Sequence, residues 1–429
     1  MTTTVPGHPP LVSPDGTKVS RSIFTSEEIY RRELRDLFGR AWLCLGHESQ
    51  LPDEGAYFTT FMGADPVLVT RTGGRIHAHL NACSHRGAAV CQDDSGTART
   101  FTCPYHAWTF DGTGRLVSIA YEKQLYGEPK LDKSRYGLPA VAQLDTLHGL
   151  IFATWDPDAV PLREYLGDLV PFLDAIFDRR AGGVEIIGEP MKWRAPTNWK
   201  IYQDNFAGDE YHIPFTHGSS MEAINIDGAE FVAHVNHCYV DGGHGFSAMF
   251  EFPDGSADPY LPLIMPVEGF SPATRDYVTR CLPEAMERVS AAHLRCQMSA
   301  ATVFPNLSLL PITYNFRLCH PKGPNEVEIW SYLYVERDAP EEVKAELVAY
   351  NNFAMGPAGL IEQDDGAIWK SISGAAAGAR GGQQYSTYDM GANDEYRHEK
   401  LGCYVTEKLS EAAQRNFFRE WSRWMEGSR

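Results

Sequence analysis

Near the start of the chain, FTSEEIYRRELRDLFGRAWLCLG places Ile29, Leu34, Leu37 and Phe38 at helical spacing. Thr25 or Ser26 caps this helix, glutamates fill its first turn and Gly39 stops it. The period then changes. From Trp42 to about Asp156, short alternating runs (YFTTFMG, PVLVTRT, RIHAHLNAC, LVSIAY, LIFATW) are broken by Gly, Asp and Pro, which predicts a small all-β domain. Residues 157–160 read as a linker, and PLREYLGDLVPFLDAIF reads as helix with a break at Pro171. Beyond residue 183 the periods mix. Strands are predicted at EIIGEP, FVAHVNHCYV, ATVFPNLSLLPI, YNFRLC and EVEIWSYLYVE. Helices are predicted over residues 198–217 and at APEEVKAELVAYNNFAM, GLIEQDDGAIWKSI and SEAAQRNFFREWSRWME. The fold class is α+β. A leading segment (1–41) packs on the last domain, a small all-β domain follows (42–157), and a larger domain (158–429) wraps an antiparallel sheet around helices, like a helix grip.

Composition narrows the partners. The 429 residues hold 38 basic and 56 acidic side chains, a net charge of −18, which argues against nucleic acid and anionic membranes. Nine cysteines are odd in number and irregularly spaced, the N-terminus lacks a basic-then-apolar signal pattern, and no apolar run reaches about 18 residues. A soluble protein of the reducing cytoplasm is expected. Residues 1–20, rich in Pro, Thr, Ser and Gly, read as a mobile lead or an arm on a neighbouring subunit. GARGG near residue 380 reads as a flexible loop.

The chemistry concentrates first in NACSHRGAAVCQDDSGTARTFTCPYHAWTFDG. Cys83 and His85 are separated by one residue, and Cys103 and His106 by two. Each half offers one thiolate and one imidazole. That set suits a Rieske [2Fe–2S] cluster, with cysteines on one iron and histidines on the other. Pro104, Tyr105, Trp108 and Arg86-Gly87 fit loop tips folded over a cluster. The competing reading is a structural zinc site, but zinc fingers usually keep Cys-Cys in one half and His-His in the other. Cys91, at no ligand spacing, reads as a packed thiol, and the alternating His77 and His79 read as structural.

A second set lies in NWKIYQDNFAGDEYHIPFTHGSS. Asp209 and His212, three apart, share a helix face. His212 and His217, five apart, point about 140° from each other on an ideal helix. Pro214 lies between them and should bend or unwind the helix, turning both imidazoles toward one ion. Two histidines with a carboxylate form the facial triad of non-haem iron oxygenases, and an electron-storing cluster needs an acceptor. The alternative is a pair of hydrogen-bonded core histidines.

Together CSHRG…CPYHAWTFDG, YEKQLYG, NWK…DNFAGDEYHIPFTHGSS, TVFPNLSLLP and MGPAGLIEQDD resemble the α subunit of Rieske non-haem iron aromatic-ring-hydroxylating dioxygenases of the naphthalene and polycyclic-aromatic type, over nearly the whole chain. The resemblance implies that Cys83, His85, Cys103 and His106 carry the cluster. It implies iron on His212, His217 and Asp365, a ligand that spacing could not choose over Asp364. Asp209 corresponds to an acid bridging the cluster histidine of one subunit to the iron histidine of the next. Asn205 corresponds to an asparagine near the iron. A substrate pocket is implied around Phe206, Ile213, Met298, Ala300, Met355 and Ile361. Implied partners are a ferredoxin and ferredoxin reductase (or a single reductase) carrying electrons from NAD(P)H, and a small β subunit in α3β3, or else α3 alone. The implied reaction adds both atoms of O2 to an aromatic, polycyclic or biaryl, hydrocarbon to give a cis-dihydrodiol.

Ser84 stands where naphthalene-type relatives often carry Arg, and Met355 and Ile361 where bulky aromatics are common, which suggests a wider apolar cavity. The weighed alternatives are an aromatic carboxylic acid substrate, monooxygenation or demethylation by the same machinery, and a plain electron carrier or structural zinc protein. No basic residue but His212 lies between Asp204 and Ile213, which favours neutral substrates. His234, His237, Cys238 and His244 mimic a metal site but read as structural or channel-lining. Phe417, Phe418, Trp421 and Trp424 read as helix core or subunit contact.

Overall fold

The computed structural model describes residues 10–128, 131–223, 227–249, 270–356, 358–406 and 409–427, without the side chains of residues 230 and 231. It divides into two compact units, Phe38–Ala159 and the pair of segments Met1–Leu37 and Val160–Arg429.

The smaller unit is built of three antiparallel sheets. Ser95–Thr97, Ala56–Met62, Asp65–Thr72 and Arg75–Leu80 form one, and Gln143–Leu147, Leu150–Thr154 and Leu43–His47 another. The third, Thr100–Thr102, Trp108–Asp111 and Leu116–Ile119, carries one of the cysteine-histidine loops. Cys83, Cys91, Cys103, Trp108 and Phe110 share one buried core. His77 and His79 stack at 6.2 Å, and burial, helped by the His77 charge, lowers the His79 pKa to about 4. Both are structural.

In the larger unit a ten-stranded sheet runs from Val184–Ile186 through Glu326–Glu336, Asn315–Gly323, Leu307–Leu310, Gln297–Val303, His244–Met249, Asn236–Val240 and Tyr404–Thr406 to Tyr396–Arg397. Met191–Ala195 adds a further partner to Glu326–Glu336. Helix Trp199–Phe206 packs on the middle strands and Ala412–Met425 on Asn236–Val240 and His244–Met249. Phe417, Phe418, Trp421 and Trp424 are buried in this core.

Several expectations need correction. Residues 231–233, expected as the start of a strand, belong to helix Gly228–Ala233, and the strand is only Asn236–Val240. Gly167 ends one short helix and Pro171 sits in the first turn of the next, where its missing N–H has no intrahelical role, so the break precedes the proline. Residues 18–20 are no free arm. They pair antiparallel with Tyr385–Thr387 of the same chain. The first nine residues of that expected arm lie outside the described residues. Gly381–Gln383 forms a 3-10 turn.

The first helix, Glu27–Arg32, is capped by Ser26 and runs into a single π turn, Glu33–Leu37. This places Glu33, fully buried, where it accepts from the Trp199 and Trp421 indoles and the buried Lys200 ammonium. One carboxylate thus joins the N-terminal turn, the helix leading to the histidine pair and the C-terminal helix. Removing one member of a buried pair strands the other charge. Glu33→Ala should lower the unfolding free energy by about 3–5 kcal/mol in urea titrations, and Glu33→Leu with Lys200→Met should recover most of it.

Candidate metal centres and cavity

Two loops of the smaller unit share one hydrogen-bonding frame. The Cys83 carbonyl accepts from Gly87 N–H and the Cys83 N–H donates to the Ala88 carbonyl, at 2.7 and 2.8 Å. In the second loop Ala107 N–H donates to the Cys103 carbonyl and Cys103 N–H to the Trp108 carbonyl, at 3.0 and 2.8 Å. Gly87 and Ala107, at equivalent places, both have positive φ. Each frame turns a cysteine inward and a histidine toward the tip. Cys83 and Cys103 are buried and unbridged, and burial, with Cys103 adding to it, raises the Cys83 thiol. The His85 and His106 rings lie 4.6 Å apart, and His85 stacks on Trp108 at 4.9 Å and 7°. His85 Nδ1 is buried with no hydrogen-bond partner among the described residues, as a metal donor would be. Two imidazoles side by side and two buried thiols match the divided donor set of a two-iron cluster. Ser84 Oγ donates to the Tyr136 carbonyl at 2.6 Å, tying the first loop down. Cys91 is a packed thiol facing the Asp93 carbonyl.

In the larger unit Asn198 caps helix Trp199–Phe206, which ends at Ala207. Gly208, with φ +106°, follows; a Cβ there would lie 2.9 Å from the Phe246 carbonyl, so only glycine fits. The predicted bend at Pro214 therefore falls upstream. Asp209 stands before a 3-10 turn, Glu210–His212, and Pro214 lies in the first turn of the next short helix. The tighter turns bring His212 and His217 together. Their Nε2 atoms are 3.2 Å apart, and Asp365 Oδ1 lies 3.3 Å from each. One ion about 2.1 Å from each donor could be held by all three. This is the only such group of three among the described residues. Burial would raise the Asp365 carboxyl, but hydrogen bonds and charge from both histidines outweigh it and bring its pKa to about 2.

The outer contacts separate the two aspartates. Asp364 Oδ2 sits 3.4 Å from His217 Nδ1 and 3.5 Å from Ser220 Oγ, behind the ring. Asp209 Oδ2 lies 3.6 Å from His212 Nδ1, and its side chain is 40% exposed. Asn205 Oδ1 accepts from the Trp369 indole at 3.3 Å. Buried Arg317 reaches Glu362 at 2.6 Å and the Met355 carbonyl at 3.2 Å, while its guanidinium lies over Trp193 and Phe206. It thereby fixes the start of helix Glu362–Ala377, which carries Asp365.

A cavity of about 900 Å³, counting the space at its mouth, opens over the triad. Phe206, Ile213, Ala300, Met355 and Ile361 line it with Asn205 and Asp209. Met298 does not, contrary to expectation; it faces a separate cavity with Phe172, Tyr314 and Tyr334. The cause is a β-bulge. Ser247 pairs with Ala300 and Ala248 with Met298, so Ser299 is an extra residue that breaks the alternation of faces. Leu310, Ile312, Tyr350, Phe353 and Glu210 also line the cavity and were missed by sequence reasoning. His237 Nδ1 bonds the Gly208 carbonyl at 2.6 Å, and His244 Nδ1 accepts from Phe304 N–H at 3.0 Å, so both are structural.

Two separate donor sets, one on an all-β unit and one beneath a largely apolar cavity, define a protein with two metal centres. Residues 41–135 match the Rieske [2Fe-2S] domain and residues 187–427 the Ring hydroxylating alpha subunit (catalytic domain). The chain is 36% identical to the biphenyl 2,3-dioxygenase subunit alpha of Rhodococcus jostii (strain RHA1), covering 97% of this chain and 90% of the relative. It is 35% identical to the large oxygenase component of the naphthalene 1,2-dioxygenase system of Pseudomonas aeruginosa, covering 96% and 92%. A solved naphthalene 1,2-dioxygenase variant bound to phenanthrene superposes with a TM-score of 0.88 at 31% identity, covering 97% of this chain and 94% of that one. The chain belongs to the α-subunit family of Rieske non-haem iron aromatic-ring-hydroxylating dioxygenases. Its cofactors are a Rieske [2Fe–2S] cluster and a non-haem iron, and it is the terminal oxygenase part of a multicomponent enzyme acting on aromatic rings. No described helix is long and apolar enough to cross a membrane.

Proposed function

We propose that this subunit dihydroxylates a biaryl or polycyclic arene, adding both atoms of O2 to one ring face with two electrons and two protons to give a cis-dihydrodiol. The observation that carries the reading is the His212–His217–Asp365 convergence, with donors 3.2–3.3 Å apart, at the floor of an apolar cavity. When bound, the cluster stores one electron and the iron offers open positions where dioxygen meets the ring. Cys83, His85, Cys103 and His106 hold the cluster in the twin loops. His212, His217 and Asp365 hold the iron. Asp209 stands 3.6 Å behind His212 Nδ1, the place of a carboxylate that would orient a metal-bound imidazole. Phe206, Ile213, Ala300, Met355 and Ile361 hold the arene and exclude water. Asn205, fixed by Trp369, stands at the cavity edge.

Electrons come from NAD(P)H through a ferredoxin and its reductase, or a single reductase. His106 and Asp209 are both solvent-accessible, which suits transfer from the cluster of one subunit to the iron of a neighbour in a ring of three. A small β subunit completing α3β3 goes with relatives described as subunit alpha and large oxygenase component. Nine unbridged cysteines suit the cytoplasm. The test is iron analysis, a visible spectrum, and turnover of biphenyl and naphthalene under labelled O2 with electrons supplied. Red-brown protein with iron at both centres and two labelled atoms per product is expected. Zinc-loaded colourless protein, or one labelled atom, overturns it.

A further inference from the structure

An acidic side chain stands in the wall of the apolar cavity. Glu210 is 5% exposed and lines the cavity beside Ser299 and Ala300. Its Oε1 takes the hydroxyls of Ser247 and Ser299, the latter at 2.5 Å. Those two serines also lie 2.6 Å from each other, so their donors are spent within this group. Oε2 accepts from no described donor. Asp209 lines the same cavity and adds negative charge. Among the described residues no Lys or Arg lines it.

A hydrocarbon occupant would strip water from this oxygen and leave it nothing to bond, which is costly, and the cost vanishes when the occupant supplies the hydrogen. Resting on the oxygenase reading above, we propose that Glu210 Oε2 is a recognition point for a hydrogen-bond donor on the substrate. The preferred arenes carry an O–H or N–H group, as phenols and aromatic amines do. Aromatic carboxylates are repelled by Glu210 and Asp209. Ser247 and Ser299 are positioning residues. They hold Oε1, and the bulge at Ser299 brings that hydroxyl to the cavity side of the strand. Glu210 leaves the metal donors untouched, so recognition and metal binding are separable.

The test uses the full iron-loaded chain at neutral pH without reductant, so that binding is read without turnover. Dissociation constants for biphenyl and meta-hydroxybiphenyl are measured by calorimetry. The parent should bind the hydroxylated probe about tenfold more tightly, the ratio expected of one charge-assisted hydrogen bond in a dry site. Glu210→Met should bring the ratio to within about twofold and keep its iron. Glu210→Gln, which preserves size should the methionine variant not fold, should reduce the ratio by about threefold, since a neutral acceptor is weaker. Equal binding of both probes by the parent, or a preference that survives both substitutions, overturns the assignment. A preference lost in the variants while the parent, given electrons, hydroxylates neither probe upholds the role of Glu210 and sinks the oxygenase reading instead.

Discussion

Asp209→Asn should keep both iron centres and lose turnover by about a hundredfold, the upper range for carboxylates behind metal-bound imidazoles. Asp209 is placed by Gly208, whose positive φ ends the preceding helix and sends the chain into the 3-10 turn with the carboxylate 3.6 Å from His212 Nδ1. The amide fills the same space without the charge. It cannot offset the positive charge that a metal places on the His212 ring 3.6 Å away. The defect should therefore lie in movement of charge rather than in metal content. Reduced protein mixed with O2 and substrate, followed by the cluster's visible absorbance, checks this. The variant's cluster should reoxidise slowly while its iron matches the parent's. Parent-like reoxidation in an iron-replete variant would remove Asp209 from the path.

The second large effect separates neighbours in sequence. Asp365→Ala should abolish turnover and take the mononuclear iron below about a tenth of occupancy, with the cluster's colour intact, because an open triad cannot lose a donor and hold a labile ion. Asp364→Asn should retain most of the iron at saturating metal and weaken its affinity by about tenfold, as the loss of a contact behind a ligand does. Iron analysis after dialysis against a chelator distinguishes them. The reverse ranking would reassign the third ligand.

That distinction marks the limit of what the primary structure tells. The cluster motif is readable because each cysteine-histidine pair sits in one short loop, so type and spacing survive folding. His212 and His217 are nearly as local, yet the bend that unites them comes from Gly208, whose role depends on the Phe246 carbonyl approaching from a distant strand. Asp365 lies far along the chain, and only the turn of its helix, about 100° per residue, aims it rather than Asp364 at the histidine pair. No local pattern encodes that rotation. The sheet's long strands announced themselves through alternation, whereas residues 231–233 are apolar enough to pass for strand and fold as helix. Met298 failed for another reason. Strict alternation puts it beside Ala300, and one unpaired residue between them reverses the face. Glu210 escaped notice because a glutamate next to a histidine pair looks like ordinary surface charge until its burial is known.

The bulge at Ser299 also bears on how such a cavity can diverge. Where the bulge residue itself supplies a hydroxyl to the wall, chain length there decides whether the buried acid keeps its anchor. Shortening the strand by one at Ser299 would leave Met298 opposite Ala248 on the far face and dismiss the serine that steadies Glu210. Catalytic preference at this wall can thus change through loss of a residue, without replacement of any residue that touches the arene.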